Sequence, residues 1–204
     1  MSVNNDEMLH KILDHISGMG YIKPEDIPNI NLYMDQVTTF MEEHLAYSKR
    51  YKDDKILTKT MINNYAKNNL LPSPEKKRYT REHMLMLIFI YYFKNILSIN
   101  DIQSLLGPLT DRYFRSENDM NLTDIYNEVF SMEKGELDAL KKELIERYDI
   151  AQGTFENAPK EDQDFLKLFS FICLLSFDVY VKKMMIEHLI DEMNLSSNEE
   201  KKKK

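Results

Sequence analysis

Apolar positions recur at helical rather than strand spacing along almost the whole chain. Met8, Leu9, Ile12, Leu13 and Ile16 predict a helix over 7–17, closed by Gly18 and Gly20, after which Pro24 and Pro28 bracket an extended link. Met34, Val37, Met41 and Leu45 line one face of a second helix over about 32–46, joined by Tyr33 and Phe40. The polar run 47–56 reads as a loop. Thr58 suits the N-cap of a third helix, because its hydroxyl can satisfy an orphan N–H of the first turn. In that helix Met61, Ile62 and Tyr65 face a core, while Thr60, Asn63, Asn64 and Lys67 form a polar stripe on the other side. Asn69 fits the left-handed position that ends a helix, and Pro72 prevents continuation.

Residues 73–79 predict a small basic hairpin or loop. Thr80 caps a helix with Met84, Leu85, Leu87, Ile88, Ile90, Tyr91 and Phe93, which must be largely buried. Ser98 caps a short helix that Gly107 and Pro108 stop, and this stop is the expected domain boundary. Further helices follow from Leu122, Ile125, Tyr126, Val129 and Phe130, and from Leu137, Leu140, Leu144 and Tyr148. The longest helix spans about 161–193. Its middle, Phe165 to Val181, is apolar nearly all round, which implies contact on more than one side, within the monomer or across a dimer interface. The expected organisation is an N-terminal helix and link over 1–24, a domain over 25–108, a helical dimerisation or sensor domain over 109–196, and a disordered tail over 197–204.

Composition narrows the class. The 204 residues, 43% hydrophobic and 30% charged, suffice for a real core, and five glycines with no tryptophan argue against barrels, sandwiches and glycine-rich nucleotide loops. Cys173 is the single cysteine, so no disulfide forms within a monomer, and its apolar neighbours predict a buried, inert thiol. No signal-peptide pattern opens the chain, and its two most apolar runs are shorter than the ~20 residues a bilayer requires, so a cytoplasmic protein with no membrane partner is expected.

Charge is unevenly spread. Residues 45–95 carry eleven basic against four acidic side chains, a local excess of +7 in a chain whose net charge is −7. A charge run is usually a solvated face, but a basic field in an acidic protein also attracts polyanions. Asn side chains can bond an adenine edge in two places, and Thr and Lys reach bases or phosphates. Lys76, Lys77 and Arg78, with Arg81 beyond, are suited to gripping phosphate, and Tyr79 to packing under the loop or touching the DNA backbone. The candidate DNA-binding set is therefore Lys59, Thr60, Asn63, Asn64, Lys67, Lys76, Lys77, Arg78, Tyr79 and Arg81.

Catalytic patterns are thin. His10, His15, His44, His83 and His188 show no metal-ligand spacing. His188 and Asp191 lie three apart on a helix, which fits a solvated surface better than a proton-transfer pair. Nothing resembles a nucleophile elbow or a phosphate-cradling loop. No enzyme, cofactor or metal is expected.

The run MINNYAKNNLLPSPEKKRYTREHMLML, continued by LSINDIQSLL, resembles the DNA-binding domain of the MerR family of winged-helix regulators, with Tyr65, Leu70, Leu71, Pro72, Tyr79, Thr80, Ile99 and Ile102 on the pattern. More closely, LYMDQV, LTKTMINNY and KKRYTREH resemble the signature of a bacterial family of unknown function thought to be MerR-like. The resemblance covers about residues 25–108. It implies an all-α fold with a small β wing: a MerR-like winged helix-turn-helix followed by a C-terminal helical bundle. It further implies a transcriptional regulator that binds duplex DNA as a homodimer reading two half-sites. The C-terminal part does not look like the single long dimerising helix of MerR proteins, so a homodimer contact through the C-terminal helices is expected from their apolar pattern alone, and a C-terminal sensor of an unknown small-molecule effector is a separate expectation. Asn63 stands where that family usually has arginine, Asn69 replaces its glycine, and the loop 47–56 separates its two helices. These departures motivate the alternative, a protein–protein interaction module that keeps the fold without DNA binding.

Overall fold

The structure is a computed structural model, and it describes residues 5–18, 20–116 and 120–203. Its elements are α1 (Asn5–Ser17), β1 (Leu32–Tyr33), α2 (Met34–Leu45), α3 (Lys59–Lys67), β2 (Arg78–Tyr79), α4 (Arg81–Phe93), α5 (Ile99–Tyr113), α6 (Leu122–Ser131), α7 (Glu133–Gln152) and α8 (Lys160–Lys203). The architecture is mostly helical with one two-stranded sheet, in which antiparallel β1 and β2 pair Leu32 with Tyr79 and Tyr33 with Arg78.

The chain divides into two compact units. One comprises residues 22–130 and 186–204, the other residues 1–21 and 131–185. In the first, α4 is the central helix. Every residue from His83 to Tyr91 is buried, which is why its sequence is apolar all round rather than on one stripe. Val37, Met41 and Leu45 of α2, Ile62 and Tyr65 of α3, Ile102 and Leu106 of α5, and Leu122 and Tyr126 of α6 are also buried. The Tyr126 hydroxyl donates to the Ile22 carbonyl (2.6 Å), so its one polar atom is satisfied in the interior.

The second unit packs α1 and α7 with the first part of α8. Leu9, Leu144, Tyr148, Ala151 and Phe171 form its core, flanked by Leu13, Ile16, Leu174 and Leu175. Tyr148 donates to Asp6 Oδ1 (2.6 Å), and Arg147 bridges Glu143 and Asp178.

Four expectations are corrected. Pro108 lies inside α5, which runs on to Tyr113. The Ser98 cap and the buried Ile102 and Leu106 hold the helix, and one missing N–H does not end it. The expected boundary at 107–108 therefore gives way to one near 130, and α1 belongs with α7 and α8 instead of standing apart. Helix α8 continues to Lys203, through most of the segment expected to be disordered. Cys173 is exposed rather than buried, because helical geometry turns it away from the core that holds Phe171 and Leu174.

Candidate nucleic-acid interface

Helix α3 is fixed at both ends by local chemistry. Thr58 Oγ1 accepts from the Met61 N–H (3.2 Å), which caps its start. Asn69 sits at φ 55°, and the N–H groups of Leu70 and Leu71 both donate to the Tyr65 carbonyl, which turns the chain out of the helix. Ile62 and Tyr65 are buried, as are Leu70 and Leu71 just beyond. This anchoring leaves Thr60, Asn63, Asn64 and Lys67 exposed on the opposite side, with no hydrogen bond from their side chains among the described residues.

The basic turn is a minimal hairpin, as expected: Glu75 and Arg78 form an antiparallel bridge, closed by the Arg78 N–H to the Glu75 carbonyl (2.9 Å). β2 also pairs with β1, a strand that precedes α2 in the chain. Lys76 and Lys77 occupy the centre of the turn at φ 49° and 62°. Two consecutive left-handed residues are the signature of a type I′ turn, which normally takes Asn-Gly. Here two exposed lysines fill it and project at the tip. Arg78 lies over the Tyr33 ring, 5.4 Å from guanidinium carbon to ring centroid. Arg115, at φ 55°, forms an ion pair with Glu75. A hollow lined by Asn31, Glu75, Lys76, Arg78, Thr80 and Arg115 results.

The remaining candidates separate. Tyr79 is buried, and burial raises its phenol pKa, so it supports the turn from beneath and is withdrawn from any DNA-facing set. Arg81 is half-buried in the first turn of α4, with its Nε enclosed and unpartnered. Lys59 is ion-paired to Asp35 and lies beside a hollow that also holds Glu42 and Glu43, so its charge is already answered within the protein. Two other cations of the basic region are committed internally as well. Lys49 pairs with Glu42, and Lys94 donates to the Ile56 carbonyl (3.2 Å), where burial lowers its pKa. Within the candidate set the exposed cations without an ion pair among the described residues thus narrow to Lys67, Lys76, Lys77 and Arg78, while Arg50, Lys52 and Lys55 of the basic region are exposed in the loop before α3. No hydrogen bond or ion pair among the described residues joins the α3 stripe to the turn.

His83 underlies this region. It is fully buried, and its Nδ1 accepts from the Thr80 N–H (3.0 Å), which places the ring proton on Nε2. Burial foremost, then the Arg115 cation, holds its pKa down to about 4, so the imidazole is neutral at physiological pH. Its ring packs edge-on against Tyr79 and Phe114, joining the strand, the start of α4 and the segment that carries Arg115. Two residues of this region differ from the sequence expectation. Tyr33, expected on the apolar face of the second helix, lies in β1 ahead of α2 and is exposed, because strand pairing turns it outward toward Arg78. Arg115 lies some forty residues from Glu75 and gave no local signal.

Among the described residues no group of three or more His, Cys, Asp or Glu side chains is placed to hold a metal ion, and no helix is long and apolar enough to cross a membrane. No curated protein and no solved structure matches the chain. Residues 22–129, which hold β1, α2, α3, β2, α4, α5 and most of α6, match the family described as a domain of unknown function (DUF1836), and the chain belongs to that family.

Proposed function

We propose that the first unit binds duplex DNA, with the exposed face of α3 directed to a groove and the Lys76–Lys77 turn gripping phosphate, and that the protein regulates transcription. The observation that carries this reading is the division of labour within one short segment. Ile62, Tyr65, Leu70, Leu71 and Tyr79 are buried as a frame, while Asn63, Asn64, Lys67, Lys76 and Lys77 are left exposed. Pairing of β1 with β2 across α2 and α3, followed by α4 and α5, supports reading the unit as a MerR-like winged helix-turn-helix.

Binding of this kind depends on salt, because each neutralised phosphate releases counterions. Purified protein should retain duplex DNA at low ionic strength and release it steeply as salt rises. Lys76→Ala with Lys77→Ala should weaken binding to all sequences alike. Absence of salt-sensitive binding to its own upstream DNA and to random duplex overturns the proposal.

A second reading, an interaction module without DNA binding, is favoured by the carboxylates Asp35, Glu42 and Glu43 around the start of α3. They would repel a phosphate approaching Lys59. A stoichiometric protein partner recovered with no DNA retention supports that reading.

A further inference from the structure

Two hollows of the first unit adjoin beside the basic turn. The smaller, of about 280 Å³, is the one lined by Glu75, Lys76, Arg78 and Arg115 together with Asn31 and Thr80. The larger, of about 470 Å³, shares Asn31 and Thr80 and adds Arg81 and Glu82, with Asn29, Asn121 and Thr123 among its polar walls. All of these residues belong to the compact unit 22–130.

The charge of the joined hollows is unbalanced. Lys76, Arg78, Arg81 and Arg115 stand against only Glu75 and Glu82, which leaves two positive charges unanswered. Glu82 is occupied, since it accepts from the Thr80 hydroxyl (2.6 Å), and the enclosed Nε of Arg81 has no hydrogen-bond partner among the described residues. Thr80 is also the N-cap of α4, whose dipole adds positive potential where the hollows join.

Backbone conformation points to the same place. Arg115 follows α5 at φ 55°, a region that non-glycine residues enter at a cost, and its guanidinium returns to a carboxylate forty positions away. Strain of this kind gathers where ligands are held. The two hollows differ in chemistry as well. The smaller is lined by charges, while Asn29, Asn31, Asn121 and Thr123 give the larger uncharged amides and a hydroxyl. Its volume falls within the ~300–1,000 Å³ of small-molecule sites.

We propose that the joined hollows bind a small phosphomonoester, with the phosphate between Arg78 and Arg115 and a hydroxylated body in the larger hollow. A phosphomonoester carries about −1.5 to −2 at pH 7, which answers the excess charge. Guanidinium groups grip phosphate oxygens in pairs, so Arg115 exchanges Glu75 for the ligand and Glu75 swings to solvent. Glu75 is thus a competitor that sets how much ligand the site needs. Lys76 and Arg78 are shared with the proposed DNA contact, but the site is defined and measured without DNA, so it stands or falls apart from that reading.

Calorimetric titration of the full chain, without DNA, tests the site with adenosine monophosphate, ribose phosphate, adenosine, ribose and inorganic phosphate. At least one phosphomonoester should bind more tightly than inorganic phosphate, and the unphosphorylated bodies should not bind. Arg115→Ala should weaken binding by about tenfold or more, the loss expected for charge-assisted hydrogen bonds. Glu75→Gln should tighten it. Both variants break the same ion pair, so a merely structural pair would move affinity the same way in each. Asn31→Asp leaves that pair intact, places a negative charge between the hollows and should also weaken binding. The proposal is overturned if no phosphomonoester binds more tightly than inorganic phosphate, or if Glu75→Gln and Arg115→Ala act in the same direction. Retention of a short duplex that falls with Arg115→Ala, with no phosphomonoester bound, assigns the hollow to the DNA backbone and overturns it too.

Discussion

Arg78 and Tyr33 face each other across the two-stranded sheet, and the Arg78 guanidinium rests 5.4 Å from the centroid of the Tyr33 ring. The pair links the strand before α2 to the strand after α3, so it ties the basic turn to the opposite end of the helical pair. At a half-exposed site such a cation–π contact contributes about 0.5–1 kcal/mol. Tyr33→Ala should lower unfolding free energy by about that amount in urea titration. It should also weaken DNA retention, because Arg78 loses the surface that orients it. Unchanged stability and unchanged retention would remove Tyr33 from the site.

Lys76 and Lys77 hold a conformation that L residues enter at a cost, and their charge is what the turn presents. Lys77→Gly should therefore move two measurements in opposite directions. Thermal or urea unfolding should show a gain of about 1 kcal/mol, as a glycine relieves the left-handed residue of a type I′ turn. DNA affinity should fall, and the slope of log affinity against log salt should flatten by about 0.9, because one phosphate fewer is neutralised. A loss of stability would mean that the turn is not of this type in solution.

His83 makes stability sensitive to acid. Its folded pKa of about 4 lies below the ordinary value of 6.5, so the unfolded chain binds the proton more readily. Its contribution is fully present above pH 6.5 and is lost as pH falls from there through about 4. Over that window the loss amounts to roughly 3 kcal/mol. Urea titrations across the window should follow this decline, and His83→Gln should flatten it even if the variant starts less stable, since the slope counts protons. An imidazole resonance titrating near 6.5 in the folded protein would contradict the assignment.

Frame and reading face should separate cleanly by mutation. Ile62 is wholly buried, and Ile62→Ala should cost roughly 2–5 kcal/mol. Asn63 is exposed, so Asn63→Ala should leave stability within about 0.5 kcal/mol. The second variant should nonetheless lose preference among DNA sequences, measured by selection from a random duplex pool. An Asn63→Ala protein with unaltered preference would assign α3 a purely structural role.

Local chemistry determined much of this protein within the sequence itself. The Thr58 and Ser98 caps, the left-handed Asn69 and the apolar spacing of α1, α2, α4 and α7 are set by neighbours three or four residues away, so they are legible in one dimension. The burial of Ile62 and Tyr65 was legible for the same reason, whereas that of Tyr79, expected among the DNA-facing residues, depends on its distant strand partner Leu32. Tertiary structure alone decided which charges are free. Lys59, Lys49 and Lys94 look like part of a basic field until Asp35, Glu42 and the Ile56 carbonyl are brought against them. It also decided that β2 pairs with β1, that Arg115 reaches Glu75, that α5 passes through Pro108, and that Cys173 and Phe169 face outward. Each of these depends on a partner distant in the chain or on which side of a helix the core lies. Periodicity reports that a helix has an apolar face, but where charged residues turn inward and aromatics outward, as along α8, only the packed structure shows which face is left open.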